Sequence, residues 1–93
     1  MFKCVIGLYG LPCEIAGAHE VEIELADEVC LSEVAATLRR EIPKLEGRVI
    51  RAEQDKLTSY YAFNVNGRFN NDDKQIRIRK GDKIALLAIV SGG

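Results

Sequence analysis

The chain has 93 residues, 47% hydrophobic and 29% charged, with a formal net charge of −1. That length supports one domain around a single modest core. The near-neutral charge speaks against nucleic acid as the main partner, and no apolar run approaches the roughly 20 residues of a membrane-spanning helix.

The first residues, Met1-Phe2-Lys3-Cys4-Val5, lack a charged leader ahead of a long apolar stretch. No signal peptide is expected, and the protein is expected to be cytoplasmic. Phe2 to Tyr9 reads as a strand with Phe2, Cys4, Ile6 and Leu8 on one face and Lys3, Val5, Gly7 and Tyr9 on the other. Gly10 to Gly17 is a connection, with room for one helical turn after Pro12. Glu20 to Leu25 alternates: Val21, Ile23 and Leu25 point inward, and the glutamates between them face water. Cys4, Cys13 and Cys30 are odd in number and fit neither a disulfide framework nor a CxxC metal motif, so reduced thiols are expected.

A helix is predicted over Leu31 to Ile42, because Leu31, Val34, Ala35, Leu38 and Ile42 form one apolar stripe. Arg39 and Arg40 suit its C-terminal dipole, and Pro43 stops it. Its N-cap is either Asp27 or Cys30, and a cysteine caps poorly. Lys44 to Ser59 reads as a polar crossing with a small apolar piece, Val49-Ile50. Tyr60 to Val65 is a strong strand with Tyr61, Phe63 and Val65 inward, ending in the Asn66-Gly67 tight-turn signal. Phe69 opens a short strand and Asn70 to Asp73 is a loop. Ile76 and Ile78 alternate with Arg77 and Arg79, Lys80-Gly81-Asp82 turns, and Ile84 to Ile89 is the last strand. The result is an α+β chain, one main helix across a mixed sheet of four or five strands, with the first and last strands central.

The last strand carries functional information. A sheet covered on one side by a helix should have alternating strands, yet Ile84 to Ile89 is apolar throughout. With Ile84, Leu86 and Ala88 toward the helix, Leu87 and Ile89 face outward as a candidate partner-docking patch. Val90-Ser91-Gly92-Gly93 follows. Glycine has no Cβ, so such a tail is thin enough to thread a narrow tunnel and present the Gly93 carboxylate inside another protein. Residues 1–89 are thus expected to form the domain and 90–93 a flexible tail. Residues 1–35 hold seven acidic side chains against Lys3 alone, whereas residues 36–93 hold twelve basic and seven acidic ones. A partner gripping the C-terminal end is expected to be acidic there.

Catalysis by the chain itself is not expected. Its one histidine, His19, reads as an exposed loop residue, Cys13 has no partner that can be placed beside it, and Asp72-Asp73 reads as a solvated loop rather than a metal site. Three scattered cysteines do not supply the four ligands of a ferredoxin cluster. No metal, bound cofactor or phosphate-binding glycine loop is expected.

Four stretches resemble the ubiquitin-like sulfur carriers of the MoaD and ThiS superfamily, most closely the small subunit of molybdopterin synthase. They are Leu8 to Gly17, the helix Leu31 to Leu38, Phe63-Asn64-Val65-Asn66-Gly67-Arg68, and Lys80-Gly81-Asp82-Lys83-Ile84 with the closing Val90-Ser91-Gly92-Gly93. The resemblance implies a β-grasp fold and a carrier role. Gly93 would be adenylated by an ATP-using activating enzyme of the MoeB/ThiF type and converted to a thiocarboxylate. Val90, Ser91 and Gly92 would be the threading segment, and Leu87 and Ile89 would dock the partner. The sulfur acceptor would be the molybdopterin synthase large subunit or another acceptor. Two alternatives stay open: a ubiquitin-like modifier joined through Gly93 to lysines, and a carrier serving tRNA thiolation, thiamine or an amino-acid route. A plain interaction domain without processing is a third.

Overall fold

The computed structural model describes residues 1–52, 55–70 and 76–89. The Asp72-Asp73 loop and the expected tail, Val90 to Gly93, lie outside the described residues. Five strands form one sheet: β1 (Phe2–Leu8), β2 (Glu20–Leu25), β3 (Tyr61–Val65), β4 (Arg68–Asn70) and β5 (Ile84–Ala88), in the order β2-β1-β5-β3-β4. The first and last strands are adjacent, as expected, and run parallel, with Ile6 beside Ile84 and Leu8 beside Leu86. The other pairings are antiparallel.

The alternation in β1 places Phe2, Cys4, Ile6 and Leu8 in the core. A short helix, α1 (Leu11–Ala16), fills the connection where a turn is expected after Pro12. The main helix, α2 (Leu31–Glu41), buries Leu31, Val34, Ala35 and Leu38 against the sheet. Eleven residues make a marginal helix in isolation, so this packed stripe holds it. Pro43 disfavours helical geometry at Ile42, which sits at φ −129° and ψ 78°. Cys30 is the N-cap and makes no side-chain capping bond, in line with its poor aptitude.

The segment expected to be a polar crossing contributes substantially to the core. Leu45, Val49, Ile50 and Leu57 are all buried. A 3₁₀ turn at Pro43–Leu45 starts it, the Val49 N–H donates to Leu45 O at 2.9 Å, and the Thr58 N–H donates to Val49 O at 2.8 Å. Leu45 and Leu57 stand singly, and the Val49-Ile50 pair is too short to show a helical or strand period, so periodicity gives no signal for their place in the core.

Two of the signature turns are one structure. Asn66, at φ 53°, and Gly67, at φ 91°, make the tight β3–β4 turn, with both residues in the left-handed region that a type I′ turn demands. Asn66 then reaches across to the Lys80–Asp82 turn. Its Nδ2 donates to Asp82 Oδ1 at 3.0 Å, and its Oδ1 accepts from the Lys83 N–H at 2.9 Å. The Asn66 N–H donates to Lys83 O at 2.8 Å. Asp82 Oδ2 accepts from the Arg79 N–H at 2.8 Å. This junction fixes where β5 begins against β3. Asn66→Ala and Asp82→Ala are each expected to cost about 1–2 kcal/mol. The double variant should cost less than the sum, since both remove the same bond. Urea unfolding of the four proteins measures this, and strict additivity would break the proposed link.

Candidate functional site

The inward residues of β5, Ile84 and Leu86, are buried, and Ala85 and Leu87 are half-buried on the opposite face. Ile89, just past the strand, is 39% exposed. Its N–H donates to Tyr60 O at 2.9 Å, so pairing with the β3 side continues up to the last described residue. One expectation needs correcting. Ala88 keeps the helix-side parity of Leu86 but is exposed, because the core under the helix ends at Leu86.

Cross-strand register shows what surrounds Leu87 and Ile89. Gly7 lies beside Ala85, Ala85 opposite Asn64, and Asn64 opposite Phe69. Leu87 lies opposite Ala62, and the Tyr9 N–H donates to Leu86 O at 3.1 Å, carrying β1 alongside. Among the described residues, Val5, Tyr9, Tyr60, Phe69 and Ile89 are the exposed large hydrophobic ones apart from Met1. Strand parity puts all five on the face away from α2. Three glutamates of β2 border that face, with Lys3 approaching Glu22 at 3.9 Å. An apolar sheet face rimmed by charge has the composition of a candidate protein-docking surface. Val5, Tyr9, Tyr60 and Phe69 extend the patch beyond the expected Leu87 and Ile89. The alternation of the first strand already points Val5 and Tyr9 outward, whereas Tyr60 and Phe69 join them only through the strand order.

The thiols differ in environment. Cys13 does have a neighbour, correcting the expectation: its Sγ lies 3.4 Å from His19 Nδ1. His19 itself is exposed, as expected. The Cys30 Sγ is 2.8 Å from Ser32 Oγ. That hydrogen bond, with help from backbone N–H groups, lowers the Cys30 thiol pKa against a smaller opposing effect of burial. Burial raises the Cys4 thiol, and the Asp82 charge adds to this. Because the thiolate is the reacting form, Cys30 is expected to be alkylated at least about tenfold faster than Cys4 at neutral pH. Peptide mapping after brief iodoacetamide treatment reads the ratio, and denaturant should abolish it. Among the described residues no cluster of three or more His, Cys, Asp or Glu side chains is placed to hold a metal ion, and no helix is long and apolar enough to cross a membrane.

Several solved structures share this architecture. SAMP1 from Haloferax volcanii superposes with a TM-score of 0.82 at 24% identity, covering 99% of this chain and 100% of that one. A putative molybdopterin converting factor subunit 1 from Pyrococcus furiosus gives 0.75 at 20% identity, covering 97% and 100%. A chain of the Amycolatopsis orientalis BexX/CysO complex gives 0.66 at 17% identity, covering 97% and 99%. At these identities the likeness establishes the fold, the β-grasp of ubiquitin-like proteins. No curated protein matches the sequence. The ThiS family model matches residues 6–93, nearly the whole chain and through to the Gly-Gly pair, and the chain therefore belongs to the ThiS family of ubiquitin-like sulfur carriers.

Proposed function

We propose that this protein carries sulfur as a thiocarboxylate on Gly93 and delivers it in molybdopterin biosynthesis. The observation that supports this most directly is the family match running from residue 6 to Gly93. A carboxylate is a poor electrophile until one oxygen becomes a leaving group. In the active site of a MoeB/ThiF-type enzyme, the Gly93 carboxylate attacks the α-phosphorus of ATP and expels pyrophosphate. A sulfur nucleophile supplied by a donor then attacks the acyl carbon and AMP departs. The carrier contributes placement rather than catalysis. The open face around Leu87 and Ile89 docks, and β5, clamped between β1 and β3, aims Val90, Ser91, Gly92 and Gly93 at the enzyme. The absence of Cβ at the two glycines leaves room for a close-fitting channel. The molybdopterin synthase large subunit then receives the sulfur.

A second reading is favoured by the SAMP1 likeness, since the Haloferax volcanii protein is described as a small archaeal modifier protein. In that reading the activated Gly93 forms an amide with lysines of other proteins. Delivery to a different sulfur acceptor, in tRNA thiolation, thiamine or amino-acid synthesis, leaves the activation step unchanged. Intact mass after incubation with the activating enzyme, ATP and a sulfur donor separates these. The carrier reading expects a gain equal to sulfur replacing oxygen, localised to Gly93 by fragmentation. Gly93 found in isopeptide linkage, with no thiocarboxylate, overturns it in favour of the modifier. Activation with delivery to another acceptor overturns only the assignment to molybdopterin.

A further inference from the structure

The open face has a depression of about 500 Å³ near the start of β5, lined by Gly7, Tyr9, Asn64, Asn66, Lys83 and Ala85 among others. It exists because two small residues, Gly7 and Ala85, sit side by side on adjacent strands. The Tyr9 ring folds back over Gly7, so that a Cβ at Gly7 would come within 3.2 Å of Tyr9 Cε2. From the carrier reading we infer that this depression receives a carboxylate side chain of the docked activating enzyme, with Lys83 as its counter-ion.

Three observations carry the inference. The lining includes three residues with donor side chains, Lys83, Tyr9 and Asn64, beside Gly7 and Ala85, which carry no polar side chain. The Asn64 Oδ1 already accepts the Gly67 N–H at 2.9 Å, which leaves its NH₂ as the remaining donor. Among the described residues, every salt bridge involves other groups, and no carboxylate pairs with Lys83. The neighbouring Asp82 is spent on Asn66 and the Arg79 N–H. Finally, the Lys83 backbone is held on both sides by Asn66, so its stem leaves from a fixed point. An unpaired ammonium beside neutral donors and an apolar floor suits an anion on a hydrocarbon stalk, as glutamate provides. The β2 glutamates on the same face include Glu20, opposite Gly7, but Glu20 is not one of the walls.

The test is ATP–pyrophosphate exchange by the MoeB/ThiF-type enzyme of the same organism, with the carrier as varied substrate. Lys83→Ala should raise the KM for the carrier about tenfold and leave kcat unchanged, and added salt should erase much of the difference. Lys83→Arg should stay within about twofold of wild type, since it keeps the charge. Ala85→Leu, which fills the depression without touching its charge, should raise KM similarly while the melting curve stays unchanged. Carbodiimide should join Lys83 to one enzyme Asp or Glu, and converting that residue to Lys should restore exchange with Lys83→Glu. Lys83→Ala with a wild-type KM overturns the inference and leaves the carrier reading standing. Absence of exchange with wild-type protein overturns both.

Discussion

Adding a single alanine after Gly93 is expected to abolish thiocarboxylate formation, by more than about 100-fold, with no change in fold or melting temperature. The size of the loss follows from positioning. Adenylation needs the terminal carboxylate in line with the α-phosphate of ATP, and a displacement of about 1 Å already costs about 100-fold. One added residue moves the carboxylate by about 3.5 Å and introduces a Cβ where the channel has been matched to glycine. Gly92→Val should be nearly as severe, since it leaves the carboxylate in sequence register but widens the tail. Both changes lie beyond Leu86, the last fully buried residue among the described ones. Intact mass after the activation reaction, paired with a thermal melt, gives the answer. Full activation of the extended protein would show that the chemistry does not require Gly93 as the terminal residue, whereas partner binding with no activation of either protein would leave the β-grasp domain as a plain binding module.

The sequence announces the parts of the fold that repeat. Four alternating buried residues specify β1, alternating glutamates specify β2, and one apolar stripe specifies α2. Asn66-Gly67 marks its turn because few other pairs adopt two left-handed conformations in succession. Val49-Ile50 shows as a small apolar piece and Leu45 and Leu57 escape notice, because all four are recruited to the core by long-range packing with no local period. The Cys13–His19 contact is hidden for a similar reason: it joins α1 to the start of β2 across a connection whose path depends on the tertiary fold. At the candidate site, the uninterrupted apolar run of β5 marks Leu87 and Ile89 from sequence alone. The full extent of the patch is not legible that way. Tyr60 and Phe69 belong to it only because β3 lies beside β5 and β4 beside β3, an order that chain position does not give.

Leu86 and Leu87 are neighbours in sequence and should fail in opposite ways. Leu86 is fully buried opposite Phe63, itself 1% exposed. Leu86→Ala removes core atoms that the rigid surroundings cannot replace, costing about 2–5 kcal/mol. A domain of this size has roughly 5–15 kcal/mol in total, so the variant should melt far lower and show a reduced urea midpoint, while any folded fraction still docks. Leu87 is half-buried on the open face, opposite Ala62. Leu87→Asp should leave the urea midpoint within about 1 kcal/mol of wild type, as surface changes usually do. It places an uncompensated charge within the proposed docking patch, where truncations at an interface hot spot alone cost about 2 kcal/mol or more, so affinity for the activating enzyme should fall by about 30-fold or more. Ile89→Asp should act in the same direction. If Leu87→Asp binds as wild type does, docking does not use this face, and the inference about Lys83 falls with it. If Leu87→Asp instead unfolds the protein, the half-buried side chain is a core residue and the patch is confined to Val5, Tyr9, Tyr60, Phe69 and Ile89. The pair thus separates what the central strand does for the fold from what it does for the partner, using two adjacent leucines on opposite faces of the sheet.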